Sequence, residues 1–191
     1  MTKDKRYANS IKEILLKAVK PETCGDKEML ARIPVWRSHL GLAHKSFLCA
    51  MGYDAAYDIL SSSEKKEIAQ GLKRLALEPA LGDWLLEPTR IPSLNSMGHN
   101  WWTSCVCQGG LLAMSLQNEI PEAREWVEQL HESLPEWFDF AGDVLQQKAK
   151  SFDEVGGMYE RLNYANFRNQ LALLFRIDWI NTNPLQREGD I

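Results

Sequence analysis

The sequence feature that most restricts the possible folds of this chain is an uncharged run in its middle. Residues 101–118, WWTSCVCQGGLLAMSLQN, contain no Asp, Glu, Lys or Arg. The run also contains Ser, Thr, Gln and Gly, which makes it too polar for a membrane span of roughly 20 mostly apolar residues. It therefore predicts a core helix that is apolar on every side and packed between other helices.

Two adjacent glycines within the run indicate a close contact between helices. A glycine in a helix interior costs about 1 kcal/mol relative to alanine. A sequence accepts this cost where two backbones must approach closely. We therefore interpret Gly109 and Gly110 as a packing notch.

The rest of the chain carries the spacing of helices, and no long alternating strand pattern occurs. Ser61 and Glu64 have the spacing of a capping box, which predicts a helix start. Long loops are predicted at 78–97 and 151–163, where Pro or Gly recur. Besides the core helix, helices are predicted at 11–19, 35–60, 62–77, 121–130, 133–145 and 167–177.

Buried helices alternate with amphipathic ones along the sequence. This alternation predicts an all-α fold in which stacked αα-hairpins form an incomplete (α/α) toroid. A length of 191 residues suits a single helical domain, 1–191. No internal repeat period stands out, which favours a toroid fragment over a repeat solenoid.

Charge and cysteine content narrow the function classes. A net charge of −4 argues against nucleic acid as the main partner, because phosphate binding needs a basic face. The cysteines at 24, 49, 105 and 107 form no C-x-x-C pair, so they are predicted to be small buried thiols. The first residues, MTKDKRYANSIKEILL, show no signal peptide, which indicates a cytoplasmic chain as written.

Polar and aromatic side chains crowd the start of the core helix. His99, Asn100, Trp101 and Trp102 follow one another there. An imidazole and an amide can donate hydrogen bonds, and indoles can stack on a sugar ring. Successive residues on a helix face different ways, so one of the two indoles is predicted to belong to the core.

Two stretches resemble signatures of the heparinase II/III-like polysaccharide lyases. They are Met97–Trp102, MGHNWW, and Gly156–Tyr164, GGMYERLNY. The resemblance covers most of the chain in order, and it implies an α/α toroid and β-elimination of uronic-acid-containing glycans. It also implies an acidic polysaccharide or oligosaccharide as the partner and a periplasmic or secreted location.

The resemblance assigns roles to particular side chains. It implies that Tyr164 is the general acid and a candidate for the base, with His99 and Asn100 binding the sugar carboxylate. To act as the base, the phenol needs nearby positive charge, for which Arg161 and Arg168 are the closest candidates in sequence. The scheme requires no cofactor and no metal. The predicted substrate-binding residues are Trp101, Trp102, Tyr159, Glu160 and Arg168.

The chain departs from that family in length, because relatives continue into more helices and a β-sandwich. A missing C-terminal domain or a homo-oligomer is therefore expected to complete the site. Two other functions remain open. One is a glycoside hydrolase on an α/α toroid, for which Asp153, Glu154 and Glu160 are the clustered acids. The other is a non-catalytic helical module that binds a glycan or a protein.

Overall fold

The computed structural model describes residues 5–20, 27–87 and 100–147. Within these ranges the regular structure is helical and contains no strand, which confirms the all-α class. The principal helices are α1 (Lys5–Ala18), α2 (Lys27–Leu30), α3 (Leu40–Ala56), α4 (Ser62–Leu72), α5 (Glu78–Leu81), α6 (Asn100–Leu116) and α7 (Glu122–Gln147).

Helices α3 and α6 lie side by side and run in the same direction. Near their amino ends, the Cys105 thiol contacts the His39 carbonyl at 3.9 Å. Beyond their carboxyl ends, the Tyr57 hydroxyl donates to the Glu119 carboxylate at 3.1 Å. Each helix has 17 residues, so each is about 25 Å long. We call these two helices the inner pair.

The helices that adjoin the inner pair run in the opposite direction. On α1, the Ala18 carbonyl accepts a hydrogen bond from Lys45 of α3 at 2.9 Å, while Ile11 packs on Gly52. Residues 62–86 also run back, since Asp83 reaches Arg37, just before α3. Helix α7 follows α6 after a short turn and packs against it. Adjacent helices in sequence therefore form αα-hairpins.

Helix α6 is the core helix that the uncharged run predicts. From Trp102 to Met114, every side chain except that of Ser104 is buried. A side chain at Gly109 would place its Cβ 2.9 Å from Leu81 Cδ2, which confirms the packing notch at this glycine. Within the part of the chain that the structure describes, no helix is long and apolar enough to cross a membrane.

Two other local predictions are confirmed. Ser61 caps α4 by accepting from the Glu64 amide, and the Glu64 carboxylate accepts from the Ser61 amide at 2.9 Å. The three cysteines in the described ranges, at 49, 105 and 107, are buried and form no disulfide. Cys24 and the helix predicted at 167–177 lie outside those ranges.

The predicted helix at 35–60 begins later, at Leu40. Residues 35–39 have no regular structure, and the amides of Arg37 and Ser38 donate to the Asp83 carboxylate at 2.8 and 3.1 Å. Because these amides donate to a distant side chain, the helix does not begin at this segment.

Two predicted interruptions turn out to be helical. Residues 78–86, predicted as part of a loop, continue the α4 helix through π-helical segments at Lys73–Leu77 and Gly82–Leu86. Pro79 lies just after the first π-helical segment, where the regular α-helical hydrogen bonding is already interrupted. Likewise α7 is one helix of 26 residues that includes Pro135, where a break and restart is predicted. At residues 78–86, where Ala80, Leu81 and Trp84 are buried, packing on the core outweighs the local preference.

Candidate functional site

Of the predicted site, the structure describes only the residues in the first turn of α6. This helix begins at Asn100, and Trp101 and Trp102 follow in its first turn. The other predicted site residues, His99, Tyr159, Glu160, Tyr164 and Arg168, lie outside the described ranges. Their convergence on the start of α6 therefore stays a prediction.

The two indoles of the first turn face different surroundings. Trp102 is 2% exposed, and its ring nitrogen donates to the Trp84 carbonyl at 3.2 Å. Trp101 is half-buried and meets Trp36 edge to face, with ring centroids 5.8 Å apart. Trp102 is therefore the indole that belongs to the core. Trp101 is the one that reaches the surface.

An arginine extends the aromatic contact toward solvent. The Arg32 guanidinium lies 4.2 Å from the centroid of the Trp36 ring. Its carboxylate neighbour, Glu28, is 3.7 Å away, and the Arg32 side chain is 39% exposed. Stacking on an indole holds a guanidinium in place while leaving its N–H groups free to bind an anion.

Sequence reasoning missed Arg32 and Trp36 as candidates for the site. Trp36 has helical spacing with Leu40, so the sequence places it within the helix predicted at 35–60. Its real position, in the extended segment before α3, depends on contacts with residues more than 40 positions away. The only local signal is the Arg-x-x-x-Trp spacing, which is weak by itself.

A buried carboxylate fixes the segment that carries Trp36. Asp83 is 0% exposed and accepts four hydrogen bonds, two from Arg37 and two from Ser38, at 2.8 to 3.1 Å. The Ser38 hydroxyl in turn accepts from the Trp84 ring nitrogen at 2.7 Å. We call this set the Asp83 network. The Asp83 network holds residues 37–38 against the helical segment 62–86. The adjacent Trp36 is held in place with them.

Burial, rather than the Asp83 network, determines the protonation of the nearby Cys105 thiol. Burial raises the pKa of Cys105 to about 12, and hydrogen bonds from Ser38 and Trp84 offset this only in part. A thiol with this pKa stays protonated at neutral pH. For Arg37, burial works to lower the pKa, but the hydrogen bonds to Asp83 and Glu87 outweigh it and the pKa is raised.

The opposite end of the inner pair forms an open groove of about 580 Å³. We call it the carboxyl-end groove. It lies where α3 and α6 both end, and sequence reasoning missed it because no local pattern reveals that the two helices are parallel. The groove is lined by Ala50, Met51, Asp54, Tyr57, Asp58, Leu111, Met114, Ser115, Gln117 and Asn118.

Two tyrosines and a glutamate lie at and next to this groove. Tyr53 and Tyr57 meet edge to face at 5.6 Å, and Lys65 lies over the Tyr57 ring at 3.4 Å. The pKa of the Tyr53 hydroxyl is raised, first by burial and then by the Glu119 carboxylate. Tyr53 is therefore neutral at any physiological pH.

The two ends of the inner pair differ in what they can bind. At the amino end, two helix amino termini with their partial positive charge lie near Arg32 and two indoles, which suits an anionic ring. The carboxyl end offers carboxylates, amides and a hydroxyl. No group of three or more His, Cys, Asp or Glu side chains in the described ranges is arranged to hold a metal ion.

Comparison with protein-family models, with curated proteins and with solved structures finds no match.

Proposed function

We propose that this chain is part of, or a relative of, a polysaccharide lyase that cleaves uronic-acid-containing glycans by β-elimination. In this proposal the described hairpins form part of an incomplete (α/α) toroid. The parallel inner pair supports this arrangement, since α1, residues 62–86 and α7 all run back beside it. Such an order of inner and returning helices is what a toroid of αα-hairpins requires.

The observation that carries the proposal is the surface at the start of α6. Here the half-buried Trp101 meets Trp36, and the exposed guanidinium of Arg32 stacks on Trp36. Asn100 opens the helix at the same place. Indoles suit the apolar face of a sugar, and a guanidinium suits its carboxylate.

The proposed reaction transfers the proton at C5 of a uronic acid to a basic side chain of the protein and breaks the C4–O bond. The electron pair of the C–H bond forms a C4–C5 double bond, and the leaving oxygen receives a proton. His99 and Asn100 bind the sugar carboxylate, which makes the C5 proton more acidic. Tyr164 supplies the proton to the leaving oxygen, since a free phenol has a pKa near 10 and is protonated at neutral pH.

The test is ultraviolet absorbance of unsaturated products released from uronate polysaccharides by the full chain. Tyr164→Phe is expected to lower the rate by roughly 10²–10⁴-fold, the usual contribution of a general acid or base. The control is Tyr7→Phe, on the exposed side of α1, where the ring is 63% exposed. It is expected to leave the rate unchanged.

Other outcomes would select other functions. New reducing ends without the absorbance of unsaturated products would indicate a glycoside hydrolase. Binding of the glycan without either product would indicate a non-catalytic module. Equal rates for Tyr164→Phe and the wild-type chain would remove Tyr164 from the mechanism.

A further inference from the structure

We infer that the carboxyl-end groove is a second glycan-binding site, and that it takes an uncharged sugar unit. The inference rests on the proposed function in taking a glycan as the ligand. It concerns the other end of the inner pair, about 25 Å from the start of α6. Of the predicted site residues in the described ranges, none is among the residues that line this groove.

The size and the floor of the groove suit a sugar ring. Its volume of about 580 Å³ lies within the range of roughly 300–1,000 Å³ found for small-molecule sites. Met51 is 46% exposed and contributes an apolar surface beside Leu111 and Met114. Thioether side chains adapt their shape to a ligand, and an apolar surface can cover the C–H face of a sugar.

The rim of the groove supplies hydrogen-bonding groups of both kinds. Asp54 and Asp58 are one helical turn apart on the exposed side of α3 and its extension. Their carboxylates accept hydrogen bonds, while the amides of Gln117 and Asn118 both accept and donate. A sugar hydroxyl also does both, so neighbouring hydroxyls can each find a partner here.

The two carboxylates are available for this task. Among residues 5–20, 27–87 and 100–147, neither Asp54 nor Asp58 forms an ion pair. Desolvation raises the pKa of Asp54, and the Ser115 hydroxyl offsets this in part. A hydroxyl that donates to a carboxylate makes a charge-assisted hydrogen bond, which is stronger than a neutral one.

The charge of the groove selects against an acidic sugar. Among the residues that the structure describes, its lining has two carboxylates and no basic side chain. Helices α3 and α6 also both end here, and helix carboxyl ends carry partial negative charge. A uronate would be repelled from this end, whereas an uncharged unit would not. The carboxyl-end groove therefore has the reverse preference of the start of α6.

The experiment measures binding by calorimetry with the full chain, without relying on turnover. The probes are a linear neutral galactose oligosaccharide, an oligogalacturonate of the same length and a chitosan oligosaccharide carrying free amines. The variants are Asp54→Ala/Asp58→Ala, the isosteric Asp54→Asn/Asp58→Asn and the control Glu67→Ala. Glu67 is an exposed acid on α4, outside the groove.

The neutral probe is expected to bind the wild-type chain and to bind the alanine variant at least 10-fold more weakly. The asparagine variant should keep most of this affinity and gain affinity for the oligogalacturonate, because amides still accept hydrogen bonds without repelling an anion. Glu67→Ala should bind all three probes like the wild type. Circular dichroism of each variant checks that the helices remain.

Three results would overturn the inference. They are no binding of the neutral probe, equal binding to the alanine variant, or tighter binding of the chitosan probe than of the neutral one. Failure of the proposed function is read separately, from the absorbance of unsaturated products. The chain could show no lyase activity and still bind the neutral probe in a way that depends on Asp54 and Asp58. That result would support the glycan site in the groove and contradict the proposed lyase function.

Discussion

The two ends of the inner pair are built in opposite ways. At the amino end, a buried carboxylate with four hydrogen bonds fixes the segment beside the half-buried Trp36 and Trp101. At the carboxyl end, Asp54 and Asp58 stay on the surface of an open groove without an ion pair in the described ranges. Acidic side chains thus organise the protein at one end and remain available to a ligand at the other.

The largest expected effect comes from breaking the Asp83 network. Asp83→Ala leaves Arg37 and the amides of residues 37–38 without their acceptor, so we expect a loss of about 3–5 kcal/mol in the free energy of unfolding. Urea unfolding followed by circular dichroism measures this loss. Glu87→Ala is the control, because Glu87 also pairs with Arg37 but is 51% exposed; it should cost at most about 1 kcal/mol. Equal losses for the two variants would contradict the structural role assigned to Asp83.

A smaller effect is expected from the turn beyond the carboxyl ends. Tyr57→Phe removes the hydrogen bond to Glu119 but keeps the ring under Lys65 and beside Tyr53. We expect a loss of about 1 kcal/mol in the free energy of unfolding, the typical net value of one hydrogen bond. The same urea titration measures it. A loss as large as that of Asp83→Ala would mean that both ends depend equally on buried polar contacts.

The smallest effect is a dependence on pH at the start of α4. Hydrogen bonds from the Ser61 amide and from Lys12 lower the pKa of Glu64 to about 2, from an ordinary value of 4.5. Because the pKa is lowered in the folded chain, this contribution is fully present above about pH 4.5 and is lost as the pH falls toward 2. Glu64→Gln should therefore flatten the pH dependence of thermal stability in that window. An unchanged slope would show that the carboxylate contributes nothing there.

The sequence predicts those features that depend on neighbouring residues. The uncharged run identifies α6 as a core helix, and the Ser61–Glu64 spacing identifies the start of α4. Both rest on patterns within one helix. Two adjacent glycines also signal the notch locally, although its cause is distant, because a Cβ at Gly109 would lie 2.9 Å from Leu81 Cδ2.

Features set by distant contacts could not be predicted in this way. The start of α3 shifts from 35 to 40 because Asp83, far along the chain, takes the amides of Arg37 and Ser38. The carboxyl-end groove exists because α3 and α6 are parallel, and neither helix encodes this alone. At the candidate site, local sequence predicts that one of two adjacent indoles is buried, but it does not tell which.

The buried thiols give the inner pair an internal chemical reporter. Cys49 lies on α3, Cys105 and Cys107 lie on α6, and burial raises the pKa of the last two to about 12. Alkylating reagents attack the exposed thiolate, so they reach these positions only when the two helices separate. The rate of labelling at each cysteine, measured by mass spectrometry, would report how fast the buried helices become accessible.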